Sequence, residues 1–167
     1  MQTFLTSYEG DHAYTAQTLD NLRLNKQALE GWQILLTLLE LDPTGNHRTP
    51  RGWVNHPAVK LWRNHELALY EYIMTMVKEW HRRGYSSTIG DKATATIRVA
   101  FENALLPDHR FDNRPAWLIN SDRLALIVAS HRKALLVKNY EHYSQFDWSE
   151  NTYTATTIPR EYEYVWN

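Results

Sequence analysis

The chain has 167 residues, no cysteine and a formal charge of −1 at pH 7. That length accommodates one domain burying roughly two-thirds of its unfolded surface, while the absence of cysteine excludes disulfides, a thiolate nucleophile and thiolate-held zinc. Near-neutral charge argues against capture of nucleic acid by the molecule as a whole. No uncharged stretch approaches a membrane span, and MQTFLTSYEG lacks a basic region followed by an apolar run. A soluble, intracellular, cytoplasmic protein with no membrane partner is expected.

The first predicted element is LDNLRLNKQALEGWQIL, residues 19–35. At 100° per residue, Asp20, Arg23, Gln27 and Glu30 share a stripe that continues into Ile34 and Leu38. A wet helix face would not continue that way, so the stripe, with Lys26 beside it, is expected to line a cleft. Leu22, Ala28, Leu29, Trp32, Leu35, Leu36 and Leu39 occupy the opposite arc, so the second half of the helix is apolar nearly all round and is expected to be buried.

The next segment is NHPAVKLWRNHELALYEYIMTMVKEWHRRG. Pro57 suits a first helical position and Gly84 a C-terminal stop, which predicts one continuous helix of about 26 residues, roughly 39 Å long. Its apolar arc contains Trp62, Leu69, Ile73, Met76, Val77 and Trp80, with His65 and Glu66 in the same arc. Unpaired N–H groups at its start, with Arg51, Asn55 and His56 close by, suit an anion as well as they suit plain N-capping.

DKATATIRVAFENALL mixes helix and strand signals and is assigned to helix. PDHRFDNRPAWLINSD reads as a proline-punctuated loop, after which Asn120 or Ser121 caps a helix through DRLALIVASHRKALL. His131 lies in the middle of its apolar face, formed by Leu124, Ile127, Val128 and Leu135. From Asn139 onward the chain is aromatic, polar and irregular. The expected fold is all-α: a compact single-domain helical bundle over residues 1–167, with a long central helix and an irregular aromatic C-terminal tail.

Charge is uneven along the chain. No acid occurs from Pro43 to His65 or from Arg123 to Tyr140, which offers Arg51, Arg132 and Lys138 to phosphates, and among the aromatics Trp53 and Trp62 are candidates to stack on a base. Three helices each aim ionisable groups inward: Arg23 and Glu30, His65 and Glu66, and His131. Each alone suits an internal ion pair; together they favour a polar cleft, with a carboxylate as general acid or base and an arginine to hold an anion. Histidine and acid spacings give no metal site, and no phosphate loop, GxSxG elbow or dinucleotide fingerprint is present, so no metal or cofactor is implied.

The stretches MQTFL, LDNLRLNKQALEGWQIL, GWVNHPAVKLWRNHELALYEY, EWHRRG, PAWL, SHRKALLVKNYEHY and YVWN together resemble a bacterial and phage family of pyrimidine dimer DNA glycosylases of the endonuclease V type. The resemblance spans nearly the whole chain. It implies a compact all-helical enzyme that binds DNA, attacks the sugar C1′ with its N-terminal α-amine and cleaves through a Schiff base, aided by a glutamate and arginines. In the relative the amine belongs to a small residue freed by removal of methionine; here Gln2 is bulky, so Met1 is expected to stay and to supply the amine. Arg23 matches an arginine of the catalytic helix. The following position, where the glutamate would sit, is Leu24, and Glu30 two turns on is its substitute if the fold brings it round. Lys26 is an alternative amine.

Two functions follow as expectations. The first is a DNA N-glycosylase, with or without AP-lyase activity, acting on damaged or modified bases through Met1 or Lys26, Arg23, and Glu30 or Glu66. The second is a non-catalytic module of the same fold holding a small nucleotide in the same cleft. In either case Gln27, Arg51, Trp53, Asn55, His56, His65, His131, Arg132 and Lys138 are the candidate ligand- or phosphate-binding residues.

Overall fold

A computed structural model describes residues 2–106 and 114–166. Eight α-helices follow one another among these residues: α1 (His12–Thr18), α2 (Asn21–Leu38), α3 (Pro57–Trp62), α4 (Glu66–Arg82), α5 (Ile89–Glu102), α6 (Ala116–Ile119), α7 (Ser121–Lys138) and α8 (Tyr140–Tyr143). Single 3-10 turns occupy Trp53–Asn55 and Ser144–Phe146. The fold is all-α, and an isolated bridge between Leu41 and His47 is the one extended pairing described.

Side-chain caps fix the helix starts. Asp20 accepts the Arg23 N–H at 2.9 Å to open α2, and Asn120 accepts the Arg123 N–H at 3.0 Å to open α7, each satisfying a donor that the helix itself leaves unpaired. Helices α2 and α4 pack closely because Gly31 has no side chain; a Cβ there would come within 2.7 Å of Ile73. Leu24, Ile34 and Leu35 from α2, Leu69, Ile73 and Met76 from α4, and Ile127, Val128 and Leu135 from α7 share one hydrophobic core. Segment 92–101 is helical, within α5.

Two expectations are corrected. The long helix over residues 57–82 is two helices, because the chain turns at Arg63–His65, where Asn64 takes a left-handed φ of 64°. Asparagine tolerates that conformation better than most residues, and Glu66 accepts the Asn64 N–H at 3.1 Å, which stabilises the turn over continued helix. The register beyond it is as expected, with Glu66, Leu69, Ile73, Met76 and Val77 buried. The second half of α2 is buried at Trp32, Ile34, Leu35 and Leu36, but Leu29, where it begins, is 39% exposed, and Leu22 in the first turn is 63% exposed, since among the described residues no helix covers the outer side there. Of the loop expected before α6, residues 107–113 lie outside those described.

The N-terminal segment explains the polar groups inside the helices. Gln2 to Ser7 form no helix and are all buried. A buried segment that is neither helical nor paired in a sheet must bond its peptide groups to side chains. The Gln2 N–H donates to Glu30 Oε2 at 2.7 Å and the Phe4 N–H to Gln27 Oε1 at 2.6 Å. The Tyr72 hydroxyl lies 2.9 Å from the Phe4 carbonyl and 2.8 Å from Gln27 Oε1. On the other side, the Leu5 N–H donates to His131 Nδ1 at 3.0 Å, and Arg132 Nε and Nη2 donate to the Thr6 carbonyl at 2.9 and 2.6 Å. The Trp62 indole N–H holds Thr3 Oγ1 at 2.9 Å.

Candidate functional site

Where this segment meets the first turns of α2, a cleft of about 310 Å³ opens to solvent. Gln2 and Phe4 form its floor with Gln27 and Glu30, Arg23 and Lys26 stand along α2, and Lys138, Tyr162 and Tyr164 close the far side. Of the stripe of the first helix, Arg23, Gln27 and Glu30 therefore do line a cleft, while Asp20 stands behind them as the cap of α2. These residues and Lys26 beside them play different parts. Gln27 is 1% exposed and committed to Phe4 and Tyr72, Glu30 is half-buried, and Lys26 is exposed at the rim.

Arg23 is held in place from two directions. Its guanidinium donates to Asp20 Oδ2 at 2.5 Å and to the Lys138 carbonyl at 3.2 Å, while Asn139 Nδ2 donates to the same Asp20 oxygen at 3.3 Å. Burial pushes the Asp20 carboxyl up, but the N–H and guanidinium of Arg23 outweigh it and hold the group below the usual carboxylate range. Lys138 Nζ lies 2.5 Å from the Tyr162 hydroxyl, a bond that draws that phenol below its ordinary value, against some opposing burial. Tyr164 is pushed the other way, first by burial and then by Tyr162.

The remaining candidates fall elsewhere. His131 is fully buried, and burial lowers it to about 3. With Nδ1 taken by Leu5, the neutral ring carries its proton on Nε2, 3.0 Å from the Gln2 amide, and the bond is made when the amide presents its oxygen. Its partners are thus Leu5 and Gln2 of the N-terminal segment. Arg132, expected at a phosphate, is 8% exposed, bonded to Thr6, 3.4 Å from Glu150 and stacked over Tyr8 and Trp148. It is a structural cation.

Glu66 is buried on its own helix start, and neither it nor half-buried His65 lines the cleft. His56 caps α3, accepting the Ala58 N–H at 3.1 Å, so its ring fills the anion position expected at that helix start. Burial chiefly keeps its pKa below the ordinary histidine range, with the charge of Glu30 opposing. Asn55 is exposed in the turn before it. Arg51 and Trp53 line a separate cleft further along α2, and Met1 lies outside the described residues. Trp62, a stacking candidate, is fully buried.

The tail's contribution to the cleft was not foreseen from the sequence. A signal was present: Tyr162, Tyr164 and Trp166 alternate with Glu161, Glu163 and Val165, the period of an extended segment with one covered face. Gln2 and Phe4 lie within MQTFL and carried no periodic signal. Among the described residues no cluster of histidine and acid side chains suits a metal ion, and no helix is long and apolar enough to cross a membrane.

Fold and cleft define a small all-helical protein whose candidate site is built around its own N-terminal segment. A family model for pyrimidine dimer DNA glycosylases matches residues 1–93, more than half of the chain, and the chain belongs to that family. The matched part contributes Gln2, Arg23, Lys26 and Glu30, while Lys138, Tyr162 and Tyr164 lie beyond it. Neither the curated proteins nor the solved structures give a match.

Proposed function

We propose that the protein is a DNA glycosylase that removes damaged pyrimidines, with pyrimidine dimers as the substrate class, and that the chemistry takes place in the cleft between the N-terminal segment and α2. The observation that carries this reading is the 2.7 Å bond between the nitrogen of residue 2 and Glu30. It sets a carboxylate against the amino-terminal end of the chain, in a cleft whose other charged lining residues are the cations Arg23, Lys26 and Lys138. Glu30 thereby takes the place of the glutamate missing at Leu24, which is fully buried.

In this mechanism an α-amine attacks C1′ of the deoxyribose as Glu30 accepts its proton. The C1′–N bond breaks, the base leaves with the bonding electrons and is protonated, and the sugar ring opens as the imine forms. Loss of the 3′ phosphate by β-elimination from that imine is the lyase step. Arg23, oriented by Asp20, holds a backbone phosphate. The amine is that of Met1 if the initiator stays and that of Gln2 if it is removed. Lys26 is the weaker candidate, because exposure at the rim denies it the desolvation that activates a lysine.

Borohydride reduction tests the proposal. It should trap a covalent adduct on duplex containing a pyrimidine dimer, peptide mapping should place the adduct on the N-terminal residue, and Arg23→Ala and Glu30→Gln should each cut the yield at least tenfold, about 1.4 kcal/mol of barrier. Binding should also weaken steeply with salt as counterions are released. A second reading draws on the cleft's volume, which is at the small end for a ligand pocket, and on the near-neutral charge: a module holding one nucleotide. No adduct on any dimer or abasic substrate, with a melting temperature raised by a nucleotide, would select it.

A further inference from the structure

A second cleft, of about 300 Å³, lies on the C-terminal half of α2 and shares no lining residue with the first. Its walls include Trp53, Arg48 and Arg51 on the segment before α3 and Gln33 and Thr37 on α2, and the rest of its lining is apolar. No acid lines it, and none occurs from Pro43 to His65. Trp53 is 52% exposed, an unusual place for so large an aromatic surface, and the His56 ring packs edge-on against it at 5.2 Å. Both arginines are exposed, and neither guanidinium has a bonded partner among the described residues.

The backbone supplies a third, independent observation. Gly52 sits at φ 71°, ψ −73°, and the Trp53 N–H donates to the Arg51 carbonyl at 2.8 Å. This is a γ-turn of the rare, strained hand. Nothing lies within 4 Å of where a Gly52 Cβ would be, so crowding does not demand glycine there; the backbone conformation does. Strain of this kind persists where it aims side chains, and here the two residues flanking the turn are the arginine and the tryptophan of the cleft.

We propose that this cleft is a second nucleotide site, separate from the reaction site, that takes one unpaired nucleotide: the base stacks on Trp53, the phosphate pairs with Arg48 and Arg51, and Gln33 and Thr37 bond to the polar edge. A free nucleoside monophosphate and a nucleotide within a single strand present the same chemistry. Lys26 and Gln33 lie seven residues apart on α2, about 10 Å along the axis, the rise of roughly three stacked nucleotides; one strand can therefore reach both clefts. The site stands independently of the reaction assigned to the first cleft.

The test is anisotropy of a short labelled oligothymidylate, alone and annealed to its complement, with melting temperatures measured in thymidine and adenosine monophosphate. Single strand should bind more tightly than duplex, with Trp53→Ala weakening it about tenfold and Trp53→Tyr restoring most of the loss. Arg51→Gln should lower the salt slope by about 0.7, the share of one phosphate on a single strand. Monophosphates that raise the wild-type melting temperature but not that of Trp53→Ala identify a free-nucleotide site; binding confined to the oligonucleotide identifies a strand site. Trp53 is exposed, so its variants should melt as the wild type does. Equal binding of either ligand by wild type, Trp53→Ala and Arg51→Gln, or no binding of either, would overturn the proposal.

Discussion

The two ends of the chain solve the same problem in different ways. Gln2 to Ser7 and Asn151 to Trp166 both run without helix or paired strand. The N-terminal segment is buried throughout, its peptide groups held by Glu30, Gln27, His131 and Arg132; the tail stays half in water, touching the body through aromatic rings and a few bonds such as Val165 N–H to Ser130 Oγ at 3.0 Å. Burial without a sheet partner obliges other elements to donate polar side chains to the core, whereas a segment left at the surface needs only to cover apolar area. One end is thus part of the core's framework, and the other is a cover over it.

The largest effect is expected where the N-terminal segment is tied to the residue just before the tail. Arg132 bonds the Thr6 carbonyl and also approaches Glu150, itself bonded to the Tyr8 hydroxyl. Arg132→Ala leaves a buried carboxylate without its cation and should cost about 3–5 kcal/mol in urea unfolding. A loss under 1 kcal/mol would mean the N-terminal segment is not anchored there.

Gln27→Leu probes the segment alone. It keeps the volume but leaves the Phe4 N–H buried without an acceptor, a cost of about 1–3 kcal/mol, which is several degrees of melting temperature for a chain of this size. Glu71→Ala on the wet face of α4 is the control, expected within about 0.5 kcal/mol of wild type.

Stability should also depend on pH. Burial lowers His131 to about 3 and His12 to about 4 in the folded protein, while both take up a proton near 6.5 once unfolded. Between those values the unfolded state binds more protons, so stability should fall as pH drops below about 6.5 and continue falling towards 4 and then 3. His131→Gln should lower stability at pH 7 yet flatten that acid slope, measured as melting temperature against pH.

The smallest effect belongs to the tail. Tyr162→Phe removes an exposed bond to Lys138 and should change stability by less than about 0.5 kcal/mol. Because Tyr162 and Lys138 both line the first cleft, the same variant should still alter ligand affinity there, which separates covering the site from holding the fold.

Local pattern was enough for several features. The all-α class, the cap at Asn120, the α4 register from Glu66 to Val77 and the cleft-facing residues of α2 all rest on periodicity and capping within a few turns of helix, where sequence neighbours are also spatial neighbours; Asp20, read as part of the stripe, proves instead to be the cap that opens α2. Even the anomaly of His131 on an apolar face was legible, since a polar group at a core position stands out without knowledge of its partner.

Partners belonged to the tertiary structure. Leu5 meets His131 across 126 positions and Gln2 meets Glu30 across 28, separations over which no period runs, so the reason for the buried polar groups lay in a segment that carried no periodic signal of its own. The break at Asn64 was likewise hidden, because a helix-compatible pattern continues through it and only the closing of α3 and α4 on the same core decides where the chain must turn. Exposure of Leu22 and Leu29 follows from the same cause. Amphipathic pattern shows which face of a helix is apolar, but whether a neighbour arrives to cover that face depends on long-range packing.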